Sequence, residues 1–143
     1  ETAMLAERDD RMAVAEQRLR RLIEIKPDHA HAYNALGYSM AERNVRLDEA
    51  QALIEKGLAL APEDPFILDS MGWVLFRRGD LNAALGYLER AFAIRPDPEI
   101  AAHLGEVQWA LGRREEAEKL WRASAAQHPD NAALESTIKR FIP

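Results

Sequence analysis

"MGWVLFRRGD", residues 71–80, sets Trp73, Val74, Leu75 and Phe76 side by side in a chain that is otherwise well charged. Successive helical residues point about 100° apart, so a run this apolar faces at least two directions at once. Met71, Gly72 and Leu75 continue a stripe that begins at Leu68 and has helical spacing. Trp73 and Phe76, three residues apart, form a second stripe on another face. What that second stripe meets depends on how the rest of the chain uses the same positions.

The chain repeats itself. Pro27, Pro62, Pro96 and Pro129 stand 35, 34 and 33 residues apart. Ala15, Ala50, Ala84 and Ala117 keep those spacings, and so do Leu19, Ile54, Leu88 and Trp121. A glycine column, Gly37, Gly72 and Gly105, locates the length changes. The extra residue of one unit lies in "RNVR" (43–46), and the missing residue of another lies in "PDP" (96–98). Both sites fall between helices, where a helical repeat absorbs them.

Each unit reads as two helices. The first carries Tyr33, Leu36, Gly37 and Met40, or Leu68, Met71, Gly72 and Leu75; the second carries Ala50, Leu53, Ile54 and Gly57, or Ala84, Leu85, Leu88 and Ala91. Asp64-Pro65 and Asp97-Pro98 predict an N-cap followed by proline at the first helical position, with Gly79-Asp80 and Gly112 at the turns within units. Gly72 and Ala84 lack bulk, which predicts close approach of the two helix backbones.

Units of about 34 residues with the order W-x2-L-G-x2-Y, then A-x3-F, then P, define tetratricopeptide repeats. The chain resembles that family through "YNALGYSM" (33–40), "LDSMGWVL" (68–75) and "AAHLGEVQ" (101–108), each followed by its alanine and its proline. The first aromatic survives only as Tyr33. The resemblance implies an all-α solenoid, a right-handed superhelix of antiparallel helix pairs, as one domain over residues 1–143. Its parts are a partial repeat (1–27, the end of a first helix plus a whole second helix), repeats at 28–62, 63–96 and 97–129, and a C-terminal capping helix at 130–143. A start inside a repeat reads as a fragment of a longer repeat protein. Residues 1–8 then lack their cover, and self-association through that end is expected. Stretches such as "FILDSMGWVLFRRGDLNAALGYLERAF" also resemble the C-terminal repeats of proteobacterial outer-membrane lipoproteins. Some of these act as adaptors that present substrates to a C-terminal processing protease. That likeness implies a periplasmic location, outer-membrane-anchored through upstream sequence, with a cytoplasmic scaffold as the alternative.

In tetratricopeptide folds one face of the first helix lines the concave surface that holds ligands. The resemblance places the aromatic strip Tyr38, Trp73, Phe76 and Trp109 there, with Asn34, Glu42, Asp69, Arg77 and Glu106 around it. Large aromatics with a polar rim suit a protein-binding surface. The competing expectation is that neighbouring first helices pack over these rings. Family members that grip a C-terminal carboxylate use Lys or Arg with Asn at set places, which here carry Asn34, Tyr38, Ser70, Glu99 and His103. The cations are missing, and a carboxylate ligand is rejected.

Other classes are weaker. Apolar residues make up 48% of the chain and charged residues 30%, a composition that suits an ordinary folded domain. A net charge of −5 with Arg scattered among Glu gives no basic face for nucleic acid. Without cysteine there is no thiolate nucleophile, and no apolar run is long enough for membrane insertion. His29, His31, His103 and His128 lack metal-ligand spacing and are expected in solvated turns and surfaces. "RGD" (78–80) reads as a helix end, a turn and an N-cap. No nucleophile–base pair and no phosphate-cradling loop is present, so no enzyme, cofactor or metal is expected; the function is that of a scaffold for a peptide or protein segment. Repeats that only stack on their upstream neighbours, or on a second copy, are the alternative.

Overall fold

Asp64 and Asp97, each followed by a proline at the first helical position, start the helices after them. Asp64 accepts hydrogen bonds from the backbone N–H groups of Phe66 and Ile67, and Asp97 does the same for Glu99 and Ile100. Pro65 and Pro98 sit where no N–H is needed. Asp80 and Asn131 cap in the same way, and His29 does so through its ring Nδ1, which accepts from Ala32.

A computed structural model describes residues 2–142, with side-chain surroundings from residue 10 onward. Its helices are α1 (Thr2–Ile25), α2 (Ala30–Glu42), α3 (Leu47–Leu60), α4 (Pro65–Arg77), α5 (Leu81–Ile94), α6 (Pro98–Ala110), α7 (Arg114–Gln127) and α8 (Ala132–Phe141). No strand occurs among the described residues. The pairs α2/α3, α4/α5 and α6/α7 are antiparallel hairpins, and the first helices α2, α4, α6 and α8 lie side by side in that order. The chain is an all-helical solenoid, and no described helix is long and apolar enough to cross a membrane.

The small-residue columns are where paired helices touch. A Cβ built on Gly72 would lie 2.6 Å from Leu88 Cγ and 3.1 Å from the Ala84 carbonyl oxygen. At Gly105 it would lie 2.1 Å from Trp121 Nε1. Ala50, Ala84 and Ala117 are fully buried opposite these contacts. The turns within the second and third pairs use Gly79 and Gly112 at positive φ. "RNVR" has no glycine, and its extra residue is absorbed by left-handed Asn44 and Arg46. Arg46, thus turned, reaches Glu16 on α1 at 2.6 Å, and Arg20 meets the same carboxylate at 3.1 Å. Arg46 first, then Arg20, hold the Glu16 pKa down to about 2.

The N-terminal segment departs from expectation. Residues 2–25 form one unbroken helix, not the end of one helix followed by another. The stretch contains no Gly, Pro or Asn and consists largely of Ala, Leu, Met, Glu and Arg, so nothing in it favours a turn. Ala15 is exposed where its counterparts are buried, and Val14 is 44% exposed, because no preceding helix lies on that face among the described residues. The expected uncovered side chains of residues 1–8 lie outside the described residues.

At the other end, α8 takes the place of a further first helix. Leu134 is fully buried with Trp121, Ala102 and Ala117, and Ile138 and Phe141 pack around them. Lys139, at the glycine-column position, is exposed.

Candidate functional site

The first helices enclose a cleft of about 370 Å³. Glu42 of α2, Trp73 and Arg77 of α4, His103 and Glu106 of α6, and Arg140 of α8 line it, and Glu99, Ala102, Ala133, Ser136 and Thr137 complete the wall. Its surface is mainly polar.

Only part of the expected aromatic strip is there. Trp73 borders the cleft but is 4% exposed, which corrects its placement as an open groove residue. Its indole stacks on His103 at 4.0 Å and on Phe76 at 4.9 Å between ring centroids, while the Arg77 guanidinium lies 5.1 Å away over the ring. The neighbouring first helices close over the ring, as in the competing expectation. Phe76 is half-buried in that stack and does not line the cleft. Trp109 leaves the strip altogether. It packs on Trp121 and Phe141 beneath α8, because the large indole of Trp121 and the apolar face of α8 offer it cover.

The polar residues divide similarly. Arg77 donates to the backbone carbonyls of Ala41 and Glu42, the last of α2, so it seals the end of the neighbouring repeat's helix. Glu106 pairs with Arg140 at 2.9 Å across α6 and α8. Asp69 is 7% exposed and meets His103 Nδ1 at 2.8 Å. Tyr38 is half-buried, with its ring centroid 6.2 Å from that of His103. Burial, and then the charge of Glu42, push its phenol pKa up, so it stays protonated. Asn34 is half-buried, and its Oδ1 has no hydrogen-bond partner among the described residues. Asn34 does not line the cleft.

His103 corrects the expectation of a solvated surface histidine: its side chain is 15% exposed. Burial works against the imidazolium, but the Asp69 carboxylate outweighs it, helped by Glu42 and Glu106, and the pKa lies above 6.5. Sequence reasoning placed His103 among positions that could meet a ligand but not beside Asp69. The two stand at nearly equivalent places of successive units, three residues before Gly72 and two before Gly105. Arg140 was missed because helical spacing sets it with Glu135 and Lys139 on the charged face of α8, opposite Leu134, Ile138 and Phe141, and so assigns it to solvent.

Neither Ser136 nor Thr137 is hydrogen-bonded to His103. No group of three or more His, Cys, Asp or Glu residues among those described could hold a metal ion. What the cleft offers is charge: no described cation lies within ion-pairing distance of Glu42 or Glu99, while its arginines are engaged.

Comparisons with known proteins agree with this geometry. A family model described as tetratricopeptide repeat matches residues 75–139. A TPR repeat-containing protein of Pseudomonas aeruginosa is 51% identical over 104 residues, which are 73% of this chain and 18% of that protein. The chain therefore spans less than a fifth of that relative's length. A thermophilic TPR protein of Thermus thermophilus superposes with a TM-score of 0.78 at 20% identity, over 95% of this chain and 77% of that one. The first TPR of Spaghetti, bound to an HSP90 peptide, superposes at 0.67 and 20% identity, over 78% of this chain and 90% of its own. Repeat columns, helix-pair packing and these matches together establish that the chain belongs to the tetratricopeptide repeat family.

Proposed function

We propose that this chain is a non-catalytic protein-binding module whose cleft holds a polypeptide segment carrying a Lys or Arg side chain between Glu42 and Glu99. The observation that carries this reading is the state of the cleft's charges. Arg140 is spent on Glu106 and Arg77 on the carbonyls of α2, whereas Glu42 and Glu99 have no cationic partner among the described residues. A rigid wall of packed helices presents these carboxylates without ordering cost on binding. The HSP90 peptide bound by the Spaghetti TPR, SRMEEVD, ends in acidic residues, and a segment of that charge would meet Glu42 and Glu99 here without compensation.

The test is selection from a random heptapeptide library, followed by affinity measurement on the Glu42→Gln/Glu99→Gln variant. Selected peptides should be rich in Lys and Arg, and the variant should bind them about fivefold or more weakly, the scale of two partly exposed ion pairs. Selection of acidic or uncharged peptides, or an unchanged affinity, refutes it. The finer reading, a periplasmic adaptor presenting substrates to a C-terminal processing protease, rests on the sequence resemblance alone. Capture of such a protease by the full-length protein, lost when residues 28–143 are removed, tests it. A second reading, self-association, is supported by exposed Val14 and Ala15 on α1. Sedimentation of the chain as a strict monomer at high concentration would refute it.

A further inference from the structure

The His103–Asp69 pair is the cleft's least ordinary feature. Asp69 is a carboxylate almost fully withdrawn from water, and among the described residues its one hydrogen-bonding side chain is His103, on the next repeat. A buried carboxylate facing a neutral imidazole leaves one negative charge in the wall; facing an imidazolium, it leaves none. The ring's other surroundings favour the cation. One face lies on the Trp73 indole at 4.0 Å, where the electron-rich ring attracts positive charge. Glu42 from α2 and Glu106 from α6 itself add negative potential, and the Tyr38 ring of α2 is close by. Against it stand the guanidinium of Arg77 on α4, held over the far side of Trp73, and Arg140 on α8, neutralised by Glu106. Helices α5 and α7 bring no residue to this cleft.

We propose that His103 and Asp69 form a proton-operated latch between α4 and α6, closed while the imidazole is protonated and loosened when it loses its proton. The closed latch joins two successive repeats on their concave side, where no glycine contact does so. Opening it leaves Asp69 beside Glu42 and Glu106 with no counter-charge, so the repeats separate more easily.

The sign of the effect follows from linkage. The folded-state pKa of His103 is raised. The latch's contribution is therefore complete below the unfolded value of about 6.5 and is lost as pH rises through the folded one. Across that interval the folding equilibrium constant, taken relative to a variant without the histidine, falls by about tenfold per pH unit.

Two measurements decide it. In an NMR titration of the unaltered chain, the ring protons of His103 should report a midpoint above the free-imidazole value of about 6.5. The Asp69→Asn variant should bring that midpoint down to or below this value. A His103 midpoint at or below about 6.5 in the unaltered chain overturns the proposal without requiring any variant to fold. Unfolding of the unaltered chain and of His103→Gln between about pH 5 and about pH 9 should show an advantage for histidine that shrinks as pH rises. A glutamine retains a donor for Asp69 but cannot titrate, so a pH-independent difference overturns the latch and leaves an ordinary hydrogen bond.

Discussion

One substitution made at two glycines should move stability in opposite directions. Gly86 lies on α5, exposed, with nothing within 4 Å of where a Cβ would stand. Gly86→Ala therefore gains helix propensity at no steric cost, about 0.5–1 kcal/mol. Gly105→Ala gains the same propensity on α6, but its Cβ would stand 2.1, 2.4 and 2.8 Å from three ring atoms of Trp121. The rigid indole cannot bend a tip away; it must move as a whole. Its freedom is small, because it is fully buried and has Trp109 and Phe141 within 6 Å on its flanks. Overpacking of this kind costs about 1–3 kcal/mol, and three simultaneous overlaps put it at the upper end. The clash outweighs the propensity, for a net loss of about 2 kcal/mol. With about 4 °C per kcal/mol for a chain of this size, Gly105→Ala should lower Tm by about 8 °C and Gly86→Ala should raise it by about 2–4 °C. Thermal unfolding followed by circular dichroism reads both. A Gly105→Ala protein as stable as the parent, or more so, would refute the close packing of α6 on α7.

Trp73→Ala should cost about 3–5 kcal/mol in denaturant unfolding, since the ring is buried between His103 and Phe76; a loss below about 1 kcal/mol would return it to the open groove. Glu16→Gln should flatten the acid limb of the stability profile. With a folded pKa of about 2, its carboxylate contributes fully above the unfolded value of 4.5 and loses that contribution as pH falls between the two. Tm measured across that window in parent and variant checks it, and parallel curves count against the clasp with Arg46 and Arg20. Arg77→Ala should increase amide exchange at the C-terminal turn of α2, whose carbonyls it caps from the neighbouring repeat. Unchanged exchange there would show that water replaces it without loss.

The repeat and its packing were legible because they follow from residue size at fixed spacing. Proline, aspartate and glycine mark ends of helices through backbone geometry alone, and the glycine–alanine columns mark contact between helices of one pair. The concave side was less legible because its surroundings are set by helices a whole repeat away. Phe76 and Trp109 hold the same place, four residues after Gly72 and Gly105. Phe76 stacks on Trp73, whereas Trp109 turns to Trp121 and Phe141. Periodicity assigns both to one face, and only the bulk of their neighbours separates them. The long α1 was misread for a different reason: a repeat register was carried into a stretch that contains no turn-forming residue.

The residue after the glycine column shows how much more the register carries. It is Tyr38, Trp73 and Glu106 on successive first helices, and counting on through Lys139 makes it Arg140 on α8. Trp73, Glu106 and Arg140 line one cleft, and the last two form an ion pair from adjacent helices. A capping helix is usually judged by the apolar face it lays on the core and the charged face it shows to water. Here a third side matters, because α8 stands where a first helix would stand and therefore inherits the concave column. The arginine in that column pairs with Glu106 and leaves Glu42 and Glu99 as cleft carboxylates without an ion-pair partner among the described residues. On the binding reading proposed above, the charge a ligand carries therefore depends on α8 as well as on the helices of the three repeats.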